Sequence, residues 1–174
     1  MTKTHKDYVR EQTKGIRVCS IDPGYSRLGI AVLEKNKGRE VLLFSDCITT
    51  PKSKLFEERL VLIGDKINDI LDTYTPNAIA VETLFLTKNQ KTVMYVAGVR
   101  GVIAYIAAQR KIPLYEYSPP QIKVAVTGYG KSDKEQVTRM VKRLIPISKK
   151  KALDDEYDAI AVGLTCFAIE KTLK

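Results

Sequence analysis

The sequence predicts a layered α/β domain with the element order βββ-α-β-α-β-α-α-α. Three observations carry that prediction. The first fifty residues hold three apolar, β-branched runs separated by turn residues. A later unbroken apolar run, NAIAVET, follows Pro76, and the segments flanking it repeat apolar residues at helical spacing. Hairpin connections suit antiparallel pairing of the first strands, and crossover helices suit the later ones.

Each element has its own justification. IRVCSID, RLGIAVLE and EVLLFSDCIT read as strands, and KNKG at Lys35 to Gly38 makes the second and third an antiparallel hairpin. After Pro51, the segment from Ser53 to about Tyr74 places Ile63, Ile67, Ile70 and Leu71 on one helical face. NAIAVET has the pattern of a strand buried on both faces in a parallel pairing. A long helix spans about Asn89 to Arg110, with Ala97, Gly101, Ala104 and Ala108 on one small-residue face that suits close packing within the chain or a subunit contact. IPLYEYS is a fifth strand, after which Ser118 and Pro119 offer an N-cap and a first-turn proline. In SDKEQVTRMVKRLI, Ser132 and Glu135 have capping-box spacing, and Val137, Met140, Val141 and Leu144 are expected to face the core while Lys134, Lys142 and Arg143 lie mostly elsewhere. ALDDEYDAIAVGLTCFAIEK reads as a terminal helix.

The 174 residues fit one domain, 16–174, behind a polar tail, 1–15, that reads MTKTHKDYVREQTKG. Lys and Arg number 29 against 20 Asp and Glu, and the formal net charge of +9 suits a protein that meets a polyanion, nucleic acid first. Cys19, Cys47 and Cys166 are far apart and lack CxxC spacing, so neither a disulfide framework nor a zinc site is indicated. The single histidine, His5, lies in the tail, which argues against a catalytic triad or a His-ligated metal. The tail carries Asp7 and Glu11 and no apolar stretch, unlike a signal peptide, and no run approaches the roughly 18 apolar residues of a membrane helix. A cytoplasmic protein with reduced thiols is expected.

Three acidic features interrupt apolar surroundings. Asp22 ends the first strand within CSIDPGYSRLG, Glu82 ends the buried run IAV, and DDEYD opens the last helix. Asp-Pro-Gly is also a common turn signature, and acids at a helix N-terminus are favoured without any further role. Lys149, Lys150 and Lys151 before the last helix likewise suit a plain solvated loop. An acid at the end of a buried strand, however, needs a partner or a metal to offset its desolvation. If the strands ending in Asp22 and Glu82 are parallel neighbours, the two carboxylates lie abreast at the edge where open α/β sheets place ligands. In the last helix, both Asp155 with Asp158 and Asp154 with Asp158 have spacings that share a face. Such a group repels itself, and a hard divalent cation such as Mg²⁺ relieves the repulsion.

Taken in order, SIDPGYSRLGIAVLE, IAVETLFLTKN, AGVRGVIAYIAA, EYSPPQIKVAVTGYGKSDKEQV and DDEYDAIAVGL resemble the RuvC family of crossover-junction (Holliday junction) endonucleases, in the ribonuclease H-like superfamily. The resemblance covers about Ile16 to Lys171 and leaves the tail unassigned. It implies a mixed five-stranded sheet flanked by helices in three α/β/α layers, and a homodimer that binds a four-way DNA junction and nicks two opposed strands. The ends left would be 5′-phosphate and 3′-hydroxyl, and the setting DNA recombination and repair. By motif it implies Asp22, Glu82, Asp155 and Asp158 as the catalytic, metal-binding carboxylates. Asp155 is chosen over Asp154 by register with the family alone. The implied cofactor is Mg²⁺, two per active site about 4 Å apart with Asp22 bridging, and Mn²⁺ a substitute. Phe85 corresponds to an aromatic that stacks on a base near the branch point, against the plainer reading of a core residue. Lys123 and Lys134 correspond to DNA-contact lysines, with Lys88 and Lys131 as further candidates, and phosphate contact predicts steeply salt-dependent binding. A RuvA and RuvB type of branch-migration complex is a candidate partner.

Other readings compete. The sugar kinase, actin and Hsp70 ATPase superfamily also pairs an Asp with a Gly after a strand, but needs two such domains. A shorter RuvX-like nuclease acting on RNA is disfavoured by KVAVTGYGKSDKEQV. A catalytically inactive, basic junction-binding protein is disfavoured by the presence of all four acids.

Overall fold

The computed structural model describes residues 15–83, 90–147 and 152–173, and its element order is the predicted one. Strands β1 (Ile16–Asp22), β2 (Arg27–Asn36), β3 (Arg39–Thr49), β4 (Ala78–Glu82) and β5 (Leu114–Tyr117) form one mixed sheet in the order β3-β2-β1-β4-β5. The β1–β2 and β2–β3 pairs are antiparallel, and β1–β4 and β4–β5 are parallel. The hairpin between β2 and β3 turns on Lys37 and Gly38, whose φ values of 50° and 80° are the two left-handed residues that match the strand twist.

Helices α1 (Phe56–Tyr74) and α2 (Gln90–Gln109) cover one face of the sheet; α3 (Pro119–Thr127), α4 (Lys134–Leu144) and α5 (Asp154–Ile169) cover the other. Alternation along the strands divides the core accordingly. Cys19, Ile21, Ile79 and Val81 pack toward α1 and α2, whereas Val18, Ala78 and Ala80 pack toward α5. The sheet is further tied by Arg17, whose buried guanidinium donates from Nε to Glu34 of β2 at 2.9 Å and from one terminal nitrogen to the Tyr74 carbonyl oxygen at 2.9 Å. Pairing of this kind offsets the cost of burying the charge.

Several local expectations shift. Helix α1 begins at Phe56 rather than near Ser53, because Glu58 accepts from the Leu55 amide at 2.8 Å and fixes the cap there. Ser118 and Gln121 cap α3 as the Ser-Pro start suggests, with the Ser118 amide donating to Gln121 Oε1 at 2.9 Å. The capping box of α4 lies one residue beyond Ser132: Asp133 accepts from the Gln136 amide at 2.8 Å, and Gln136 accepts from the Asp133 amide at 2.8 Å. Ser132 is instead buried and donates to the Tyr129 carbonyl oxygen at 2.8 Å. With that start, Val137 and Val141 are buried, Met140 is half-buried and Leu144 is exposed, contrary to the expected four-residue core face.

Helix α2 differs most. Interrupted only by Lys91 and Arg100 among charged residues, it is long and apolar enough to cross a membrane by length and composition, against the expectation that no such run exists. Val99, Ile103, Ile106 and Ala107 bury its inner side against the α1 layer. Among the described residues nothing covers its small-residue face: Ala97, Gly101, Ala104 and Ala108 are exposed, together with Met94 and Tyr105.

Candidate active site

Asp22 and Glu82 are the last residues of β1 and β4. The parallel register pairs Ile21 with Val81, so the next residues stand abreast, and strand alternation turns both toward the α5 side of the sheet. Helix α5 brings Asp155 and Asp158 to the same edge. Its approach depends on Gly29 of β2, where a Cβ would lie 1.9 Å from the Asp155 carbonyl oxygen. Gly24 serves the turn after Asp22 similarly, since a Cβ there would lie 1.9 Å from the Arg27 carbonyl oxygen.

Electrostatics record how tightly these acids crowd. Burial, and then the charges of Glu82, Asp158 and Asp155, push the Asp22 carboxyl up to about 8, with Lys134 opposing. Burial and the Asp158 charge also raise Glu82, against a hydrogen bond with Asp22 and the fields of Lys123 and Lys134. Burial raises Asp158, although Lys134 Nζ lies 2.8 Å from its Oδ2. Burial disfavours the Lys134 ammonium in turn, but the Asp158 hydrogen bond and the surrounding aspartates outweigh it and raise its pKa.

Asp154 and Asp155 separate clearly. The Asp154 side chain is 74% exposed and, among the described residues, reaches only Lys134, at 3.9 Å. Asp155 is engaged by Arg27 of β2 and by Cys47 of β3, whose Sγ lies 3.7 Å from its Oδ2. Glu156, the third acid of that turn, supports the fold. It is buried, accepts from the Leu153 amide at 3.0 Å and accepts from Ser45 Oγ at 2.6 Å. The acids of DDEYD therefore divide between capping the helix and facing the sheet edge.

A cleft of about 200 Å³ opens beside the acids, lined by Glu82, Asp158, Lys123 and Lys134 over the apolar floor of Ile122 and Val137. Lys131 is exposed in the turn before α4. Phe85 and Lys88 lie outside the described residues, as do Lys149, Lys150 and Lys151. Among the described residues, no three His, Cys, Asp or Glu side chains close on one point as metal ligands do. Two of the four acids are engaged by cations instead, Asp155 by Arg27 and Asp158 by Lys134. The donor set is nonetheless carboxylate oxygen only, in a buried and mutually repelling group, which suits a hard divalent cation. Sequence reasoning misses Arg27, because its contact with Asp155 joins residues 128 apart and no local pattern marks it.

Comparison with known proteins gives this edge a context. The sequence profile of the family described as crossover junction endodeoxyribonuclease RuvC matches residues 18–166. The crossover junction endodeoxyribonuclease RuvC of Thermosipho melanesiensis is 43% identical over 155 residues, covering 89% of this chain and 98% of that protein. Its counterpart in Mycolicibacterium vanbaalenii is 40% identical over 150 residues, covering 86% and 77%. The solved structure of T. thermophilus RuvC in complex with Holliday junction substrate superposes with a TM-score of 0.80 at 29% identity, over 86% of this chain and 92% of that one. The yeast mitochondrial Holliday junction resolvase shares the fold, with a TM-score of 0.65 at 14% identity over 92% and 81% of the two chains. With its ribonuclease H-like sheet and with relatives matched over nearly the whole described fold, this chain belongs to the RuvC family of crossover junction endodeoxyribonucleases.

Proposed function

We propose that the chain resolves four-way DNA junctions in the cytoplasm as a homodimer, by metal-dependent nicking of two opposed strands at Asp22, Glu82, Asp155 and Asp158. The observation that carries this reading is the gathering of buried acids at the ends of β1 and β4, where burial first and the neighbouring carboxylates second push Asp22 up to about 8, while two lysines face the same cleft. Mg²⁺ held by these carboxylates would supply charge neutralisation at the scissile phosphate and a more acidic water, the chemistry of two-metal phosphodiester hydrolysis. Asp22 and Glu82 are positioned by adjacent strands, so their spacing is fixed by the sheet rather than by a loop. Asp155 and Asp158 arrive on a rigid helix. Lys123 and Lys134 present ammonium groups to the backbone phosphates of the strand entering the cleft. Phe85 and Lys88 would meet the branch point from the segment between β4 and α2.

The direct test is incubation of the purified protein with a synthetic four-way junction and Mg²⁺. Paired, symmetry-related nicks that DNA ligase seals without end treatment are expected, with the linear duplex uncut. Binding without cutting would favour the inactive junction binder, and cutting of RNA alone would favour the RuvX-like reading. Gly29 provides a second test. In Gly29→Ala the added methyl must displace the first turn of α5 and Asp155 with it, and misplacement on the order of 1 Å lowers the junction cleavage rate about 10²-fold. Wild-type cleavage by that variant would mean that the position of Asp155 does not matter.

A further inference from the structure

On the opposite face of the sheet from the carboxylates, but at the same edge, the β1–β2 loop, the β3–α1 loop and the first turns of α1 and α2 enclose a groove of about 460 Å³. Lys52, Lys54, Arg59 and Lys91 line it, Lys54 pairs with Glu58 at 3.4 Å just outside it, and among the described residues no carboxylate lines it. Tyr25, Phe56 and Tyr95 form its aromatic wall, with Tyr95 ring centroids 5.0 Å from Tyr25 and 4.4 Å from Phe56. Arg59 is 7% exposed. Its Nε donates to the Pro51 carbonyl oxygen at 3.0 Å and its guanidinium lies 5.6 Å from the Tyr25 centroid, yet it pairs with no carboxylate among the described residues. Lys91 sits 5.8 Å from the Tyr95 centroid and likewise has no acidic partner among those residues.

A guanidinium buried to this degree is ordinarily neutralised, as Arg17 is by Glu34. Here no balancing charge lines the groove among the described residues, and three exposed lysines, Lys52, Lys91 and the Glu58-paired Lys54, repeat the same sign at its rim. We infer that this groove is a second strand-holding site, in which Arg59, Lys52 and Lys91 grip a backbone phosphate of the junction DNA next to the aromatic wall. The inference rests on the junction-nuclease reading. Its logic is charge complementarity and place: a DNA strand reaching the carboxylates at the end of β1 passes the β1–β2 loop, and Tyr25 of that loop forms part of the groove. The backbone of that loop is tied to the chain just after β3, with Thr50 Oγ1 donating to the Tyr25 carbonyl oxygen at 2.7 Å, which links the groove to the loop that follows Asp22. Phosphate contacts of this kind position DNA and carry no sequence preference.

The test uses the full chain carrying Asp22→Asn, with junction binding followed by fluorescence anisotropy across a NaCl series. Lys52→Glu/Lys91→Glu is compared with Lys37→Glu/Lys66→Glu, which makes the same charge change at the β2–β3 turn and midway along α1. The groove pair is expected to weaken binding at least about 10-fold more than the control pair and to reduce the slope of log K against log[salt] by about 1 to 2. Arg59→Gln should act in the same direction and Arg59→Lys should restore much of the loss, with thermal melts reporting that each variant is folded. Equal losses from the two lysine pairs, or an unchanged salt slope, would overturn the groove. Failure of the otherwise unmodified chain to bind or cut any junction would overturn the junction reading instead.

Discussion

We expect Asp22→Asn protein to bind a four-way junction without cutting it. The substitution keeps the shape and removes the carboxylate on which Glu82, Asp158 and Asp155 all act. The same variant has a second, opposite signature in stability. The folded Asp22 carboxyl titrates near 8 and the ordinary group near 3.8, so the folded state holds the extra proton between those values. Stability from this group is therefore full below about pH 4 and is lost as pH rises toward 8. Asn cannot ionise and escapes that loss. The variant should melt higher than wild type at pH 8 and lose less between pH 5 and pH 8, as calorimetry without added metal would show, while added Mg²⁺ should stabilise wild type more than the variant. A wild type whose melting temperature is flat across this range, or junction cleavage surviving in the variant, would remove Asp22 from its assigned role.

The second large effect concerns assembly. Ala97 and Ala104 lie two turns apart on the exposed face of α2, beside Gly101 and Ala108. We expect Ala97→Arg/Ala104→Arg to convert a dimer to a monomer in sedimentation, because a small-residue face allows close helix approach and two guanidinium groups prevent it. Folding should be unaffected, since both positions face solvent and Arg is a good helix former. In the junction assay, nicks on opposed strands should then appear independently rather than as pairs. Wild type that sediments only as a monomer across micromolar concentrations, or a variant that remains dimeric, would exclude this face as the contact.

Much of this architecture was legible because its signals are local. Alternation, a proline before an apolar run and a turn of Lys37 and Gly38 fix the strands, and the parallel pairing of β1 with β4 follows from unbroken hydrophobicity. The convergence of Asp22, Glu82, Asp155 and Asp158 on one edge was legible only once topology was assumed. What sequence could not supply were contacts between distant segments. Arg27 with Asp155, Ser45 with Glu156, and the clustering of Tyr25, Phe56 and Tyr95 each join elements whose meeting depends on layer packing. The one-residue displacement of the α4 cap has a simpler origin. Two overlapping Ser/Asp and Glu/Gln pairs have the same spacing, and the Asp133 carboxylate is the stronger acceptor for an amide at a helix start.

Helix α5 carries two of the four carboxylates and also lays Ala159, Ile160, Val162 and Phe167 into the core on one face of the sheet. Strands β1 to β3, against which it docks, are synthesised more than a hundred residues earlier. A nascent chain can therefore have a complete sheet and no cutting site. With Asp155 and Asp158 in the proposed site, nuclease activity is expected only once the last helix has docked, which would couple its appearance to the completion of folding.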